Sequence, residues 1–240
     1  MSLQKPPATE KPTAHESGLV EWFLDEFVPK FGKQTLIGLG LAAVLVIAFF
    51  SFKSSQEGQE ARENKELGQA FVYYSEDKLD SAEVFLSTFV QKSHSRVVQD
   101  KANLMLGQIQ YQKGKYDDAI KAYGAVDLGD LKRPLVSSGA LHGLASAHIQ
   151  KKDYAKAAEL LERFVKSFMV KTGRPEENLE GKEKVDLSPV VPNALWKLAL
   201  CYRELKQTDK AKSTAEKLVK VYPDSREAFD AQRLLAQLTP

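Results

Sequence analysis

Apolar residues along the chain fall into three successive rhythms. The first 15 residues, MSLQKPPATEKPTAH, have no apolar rhythm and are rich in Pro, Thr and Lys, so a disordered tail is expected over 1–15. Between residues 16 and 34, Leu19, Val20, Trp22, Phe23, Phe27, Val28 and Phe31 share one helical face, while Glu21, Asp25 and Glu26 point away. This predicts a short amphipathic juxtamembrane helix ending near Pro29, with rings suited to a headgroup layer. From Thr35 to Phe52 (TLIGLGLAAVLVIAFFSF) there is no charge at all. A helix of that length spans about 27 Å, close to the ~30 Å hydrocarbon core of a bilayer, so 35–52 is expected to be a single N-terminal transmembrane helix. No basic region precedes it and no A-x-A site follows, since the chain continues KSSQEGQEA. It therefore reads as a retained anchor rather than a cleaved leader. No proline lies between Phe52 and Tyr74, which predicts that this helix runs on into the segment beyond.

From residue 53 the rhythm becomes that of paired amphipathic helices. Small residues recur twelve apart at Ala70 and Ala82, Gly107 and Ala119, Ala145 and Ala157, and Ala199 and Ala211. Three residues before the second member stand Leu79, Tyr116, Tyr154 and Thr208. Two antiparallel helices that cross at small side chains approach closely, and larger side chains fill the space to the next pair. The most regular unit, residues 100–133, carries Leu106-Gly107, Tyr111, Gly114, Tyr116, Ala119, Tyr123 and Val126, and it resembles the tetratricopeptide repeat. Four units are expected at about 58–95, 100–133, 138–171 and 192–225, with a capping helix over 226–238. Residues 172–191 (TGRPEENLEGKEKVDLSPVV) interrupt them; their Gly, Pro and charged residues predict an exposed loop insertion. The expected fold is all-α: a transmembrane helix, then a tetratricopeptide-like α-solenoid of about four helix pairs plus the cap, filling 53–240.

Charge narrows the partners. Lys and Arg number 34 against 32 Asp and Glu, a net charge of +2, so there is no basic surface of the kind that binds nucleic acid. Cys201 is the single cysteine, which excludes an intrachain disulfide and a Cys-based metal site and suggests a small buried side chain. His142 and His148 are six apart and do not share a helical face as metal ligands would; His148 suits a packing role. Gly38 and Gly40 lie within the apolar stretch, where they suit helix packing rather than a nucleotide loop. No nucleophile elbow or phosphate-binding loop is present, so no catalytic residue, cofactor or metal is expected and the chain is read as a non-enzyme.

A binding surface remains. First-helix side chains of stacked repeats line the concave face, which by repeat position draws on Leu104, Gln108, Tyr111 and Gln112. The next unit adds His142, Ser146, Ile149 and Gln150, and the last adds Trp196, Leu200, Arg203 and Glu204. Trp196 and Tyr111 are the expected anchors. Chaperone-binding tetratricopeptide domains grip a terminal carboxylate with Lys, Arg and Asn, and these positions do not supply that cluster. Oligomeric state is left open.

Trp22-Phe23, Phe27, the FGK at 31–33, the apolar stretch 35–52 and the repeats from about residue 58 together resemble the tetratricopeptide-containing ancillary subunits of the bacterial SecYEG translocon. Lys30 and Lys33 within residues 20–34, against Lys53, Arg62 and Lys65 within residues 53–67, do not set its direction. The resemblance implies an inner-membrane, single-pass protein with a cytoplasmic N-terminus and periplasmic repeats. It also implies partners among translocon subunits, periplasmic chaperones or exported clients, with lipid contacts at 35–52 and 16–31. The expected function is a membrane-anchored protein-binding scaffold in protein export. A cell-envelope or division scaffold and an accessory subunit of an enzyme complex are the alternatives.

Overall fold

The computed structural model describes residues 28–169, 186 and 188–238, with side chains from Val44 onward. The tail 1–15, residues 16–27 and most of the 172–191 insertion lie outside the described residues. Among the described residues there are nine helices and no strand. They are α1 (Val28–Ser75), α2 (Leu79–Lys92), α3 (Arg96–Gln112), α4 (Tyr116–Gly124), α5 (Pro134–Gln150), α6 (Tyr154–Phe168), α7 (Val191–Glu204), α8 (Thr208–Val221) and α9 (Arg226–Leu238). The chain divides into two units, 1–58 and 59–240.

In the first unit, α1 as described starts at Val28. Pro29 therefore sits in its first turn rather than ending a helix, and a proline there forfeits only an N–H that has no intrahelical partner. Of the 35–52 stretch, the side chains from Val44 to Phe52 are described, and the large apolar ones are 53–69% exposed. Among the described residues no helix is long and apolar enough to cross a membrane.

In the second unit the helices pair in sequence, each against its neighbours, and α9 packs on α8 and α7. One turn recurs between the two helices of each pair. Asp77, Gly114, Lys152 and Lys206 all have φ between 57° and 72°, and all stand five residues before the second small residue of their unit. In each turn this residue's N–H donates to the carbonyl three back and the next N–H to the carbonyl five back. Examples are Gly114 to Tyr111 at 3.0 Å and Lys115 to Gln110 at 2.8 Å, and Lys206 to Arg203 and Gln207 to Tyr202 at 2.9 Å each. This left-handed closure satisfies the last carbonyls of the first helix. Only at Gly114 does the residue adopt the conformation without a Cβ penalty.

Helix crossing is governed by the size of paired side chains. Gly107 faces Tyr123, where a Cβ would lie 2.7 Å from the ring; across the ring a Cβ on Gly143 would lie 2.5 Å away. Tyr123 is thus wedged between α3 and α5 and is buried. In the other units the residue aligned with Gly107 is Ala70, Ala145 or Ala199, and the residue aligned with Tyr123 shrinks to Leu86, Leu161 or Ala215. The largest fully buried side chains are Phe164 and Phe168 of α6, followed by leucine and isoleucine side chains spread along the array, among them Leu86 of α2, Ile109 of α3, Leu141 of α5 and Leu218 of α8.

Polar side chains fix the loops between pairs. The carboxylate of Glu63 on α1 accepts from the Ser93 hydroxyl at 2.5 Å and from the amides of His94 and Ser95 at 3.0 Å each. Burial raises its pKa, but the Ser93, His94 and Ser95 hydrogen bonds outweigh burial and hold it below the usual value. Asp100 on α3 is fully buried. It accepts from Arg133 Nη2 at 2.8 Å and the Asp127 amide at 3.3 Å, and it pairs with Arg96 at 3.3 Å. The loop after α4 is tied to α3 through these bonds. Two further ladders join successive turns. Lys113 pairs with Asp80 and Lys151 with Asp117. Gln112 donates to the Tyr74 hydroxyl at 2.8 Å and Gln150 to the Tyr111 hydroxyl at 3.2 Å.

Candidate protein-binding cleft

The first helices of the last three units, α3, α5 and α7, border a cleft of about 390 Å³. Tyr111 comes from α3; Ser146, Ile149 and Gln150 from α5; Tyr154 from α6. Helix α7 contributes Asn193, Trp196, Lys197, Leu200, Cys201, Arg203 and Glu204. The helical period explains the last set: Asn193, Lys197, Leu200, Cys201 and Glu204 recur at three- and four-residue steps along one face. Pro192 in the first turn of α7 and the tight turn at Lys206 bound that face.

Eight of the residues expected on the concave face line the cleft: Tyr111, Ser146, Ile149, Gln150, Trp196, Leu200, Arg203 and Glu204. Leu104, Gln108, Gln112 and His142 do not. Leu104 packs against Gly139 of the next helix, and Gln108 is exposed on α3. Gln112 is spent on Tyr74. His142 is half-buried beneath the cleft, its ring 6.0 Å from that of Phe164. Sequence reasoning missed Tyr154, Asn193, Lys197 and Cys201. The signal for Lys197 was available: it stands where the other units have Gly68, Met105 and Gly143, so a charge enters an otherwise small or apolar position.

At its base the cleft carries a polar cluster. His142 Nε2 lies 3.0 Å from Asn193 Oδ1, and Asn193 Nδ2 donates to Glu227 of α9 at 3.2 Å. Lys197 Nζ donates to Ser146 Oγ at 2.7 Å and approaches His142 Nε2 at 3.3 Å. The Ser146 hydroxyl donates to the His142 carbonyl at 2.8 Å. Burial, then the Lys197 charge, lower the His142 pKa to about 4, against a smaller opposing effect of Asn193, so the ring is neutral near pH 7. Burial also lowers the Lys197 pKa and raises that of the Cys201 thiol to about 11. A thiol held that high is not a nucleophile at neutral pH. At the rim, Arg203 and Glu204 pair at 2.8 Å. Among the described residues no group of three or more His, Cys, Asp or Glu could hold a metal ion. The arrangement is therefore suited to recognition: aromatic and aliphatic walls, a few placed polar groups and one half-buried cation.

Residues 104–169 and residues 193–225 each match a family model described as a tetratricopeptide repeat. No curated protein matches the sequence. Among solved structures, a tetratricopeptide repeat protein from Parabacteroides merdae is similar at 18% identity and a TM-score of 0.56, over 73% of this chain and 59% of that one. This chain thus spans less than two thirds of that protein's length. MamA is similar at 19% identity and a TM-score of 0.52, over 70% of this chain and 82% of that one. TPR-like repeats from Podosopora anserina are similar at 19% identity and a TM-score of 0.54, over 74% of this chain and 85% of that one. These likenesses concern the fold. Together with the two family matches, they show that the chain carries tetratricopeptide repeats, and such repeats indicate a protein–protein interaction scaffold.

Proposed function

We propose that the chain is a membrane-anchored scaffold that binds exported proteins or periplasmic chaperones beside the protein translocon of a bacterial inner membrane. The observation that carries the membrane part is the run of exposed apolar side chains on α1, Val44, Leu45, Val46, Ile47, Phe49, Phe50 and Phe52. Consecutive large apolar residues point to every side of a helix, so no single packed neighbour covers them, whereas lipid does. The cleft on the first-helix face supports the scaffold part, and the layout shared with ancillary translocon subunits supports the site of action. On this reading the N-terminus is cytoplasmic and the repeats are periplasmic.

Crosslinking in intact membranes followed by capture of the full chain tests the partner. Enrichment of translocon subunits and periplasmic chaperones is expected. Enrichment of division or peptidoglycan proteins in their place would sink the export reading. Topology is tested with Glu216→Cys in a Cys201→Ala background, because Glu216 is exposed on α8. An impermeant thiol reagent should modify it in intact spheroplasts, and protection until lysis would overturn the periplasmic assignment.

A further inference from the structure

We infer that the cleft receives an acidic side chain, an aspartate or glutamate set within an apolar segment of a partner protein, with Lys197 as its counter-ion. This rests on reading the array as a protein-binding scaffold and names the chemistry of what it binds.

The argument starts from what the Lys197 ammonium lacks. It has three N–H donors. Ser146 Oγ accepts one at 2.7 Å. The 3.3 Å approach to His142 Nε2 is not a second bond. Asn193 gives its amide N–H to Glu227, so its carbonyl oxygen must face His142 Nε2. The network thereby assigns the proton of the neutral ring to Nε2, which donates to Asn193 and has no lone pair for lysine. Two N–H groups of the ammonium are left without an acceptor among the described residues, and no carboxylate there lies within ion-pairing distance of it. The nearby titratable groups do not compensate the charge. His142 is neutral, the Cys201 thiol is protonated, Glu227 is engaged by Asn193, and Glu204 is engaged by Arg203. An ammonium taken partly out of water without a counter-ion costs stability, and the aligned places in other units are filled by Gly68, Met105 and Gly143 without one.

The walls state the rest of the ligand. Trp196, Leu200, Ile149, Tyr111 and Tyr154 present apolar surface beside the ammonium, so the residues flanking the carboxylate are apolar. A single carboxylate fits. A second would meet Glu204 at the rim, and among the described residues Lys197 is the one cation at the base without a counter-ion. The first-helix face also continues past Tyr111 to the Gln112–Tyr74 pair, leaving room for chain on the far side. That favours an acidic residue inside a segment over a chain end.

The test uses the full chain in detergent micelles and pools of acetylated, amidated nonapeptides with a fixed central Glu, Asp, Gln or Leu and randomised apolar or Ser flanks. Glu- and Asp-centred pools should retain at least about tenfold more protein than Gln- or Leu-centred pools, the discrimination expected when a charged hydrogen bond is lost. Lys197→Met should abolish that preference while still binding the apolar flanks, and Lys197→Arg should keep it. The methionine variant should unfold at no lower a urea concentration than the native chain, since Ser146 keeps its bond to the His142 carbonyl. Equal retention of Glu and Gln pools, or a preference that survives Lys197→Met, overturns the inference. A fourth set, with neutral centres and a free C-terminal carboxylate, distinguishes the source; retention of that set alone makes the ligand a chain terminus and also overturns it. Retention of no pool removes the cleft as a docking site, whereas failure of the scaffold reading itself would show as absence of crosslinked partners.

Discussion

At the first two junctions of the array the turns are stitched in register: Lys113 reaches Asp80 and Lys151 reaches Asp117, while Gln112 reaches Tyr74 and Gln150 reaches Tyr111. At the third junction Leu205 and Ala155 occupy the ionic places, and Glu204 and Ile149 occupy the amide and hydroxyl places. Both ladders stop there. Instead of pairing across the junction, Glu204 turns to its neighbour Arg203; Tyr202 crosses it to Glu162, and four other polar groups that cross it, Ser146, His142, Asn193 and Lys197, meet beneath an open cleft. Exposed pairs of the ladder kind add little stability each, but they fix which turn meets which. Where they end, side chains become available for something other than the chain itself.

The sharpest way to break this contrast is to compare Asp100 with Lys197. Asp100→Ala removes the buried carboxylate that accepts from Arg133 Nη2 and the Asp127 amide, and although Arg133 keeps Asp130, the loss of two charge-assisted hydrogen bonds should cost about 3–5 kcal/mol in urea unfolding. Lys197→Met should cost nothing. Equal losses would make Lys197 as structural as Asp100 and erase the distinction between the junctions.

Next in size is a pH effect confined to the third junction. The His142 pKa falls from 6.5 to about 4 on folding. Between those values the unfolded chain binds the proton and the folded chain does not, so stability falls as pH drops from 6.5 towards 4, by about 3 kcal/mol in all. His142→Gln should remove that slope in a pH series of denaturant midpoints. The carboxylates of Glu63 and of Glu83, which lies on α2 and pairs with Lys113 and Lys115, behave in a lower window. Their pKa values lie below 4.5 when folded, so their contribution is full above 4.5 and is lost as pH falls through the folded values. A slope between 6.5 and 4 that survives His142→Gln would detach it from the cleft.

Gly107→Ala, at the second junction, should cost about 1–3 kcal/mol by driving a methyl group into the Tyr123 ring, in spite of the better helix propensity of alanine. Adding Tyr123→Leu recreates the Ala145–Leu161 combination and should recover part of the loss. Thermal unfolding of the single and double variants measures the coupling, and strict additivity would show that the wedge is not what demands glycine. Smallest is relief of the turns on either side of the third junction: Lys152→Gly and Lys206→Gly should each gain up to about 1 kcal/mol, because both residues hold positive φ. A loss on substitution would mean that the lysine side chains support the turns.

The helical period and the twelve-residue recurrence of small residues were enough to read the paired helices of the array and to pick out Trp196, Leu200, Arg203 and Glu204, which line the cleft. Such features are local: a small residue, a turn and an apolar stripe repeat because each unit meets the same geometric demand. Asn193 and Lys197 lie on the same helix as Trp196 and were passed over, since on a helical wheel a lysine reads as a solvated position.

Local pattern thus determined the all-helical repeat array, the apolar stretch before it and the face from which a binding surface would be built. Only the tertiary structure decided what that face holds. Packing α7 against α6 brings Lys197 to Ser146 and Asn193 to His142 of α5, residues about fifty positions apart in the chain. Whether a charged side chain finds a partner depends on such long-range packing, and no periodicity encodes it. The residues at the aligned places end both ladders at the third junction, whereas the packing there leaves two N–H groups of the Lys197 ammonium without an acceptor among the described residues.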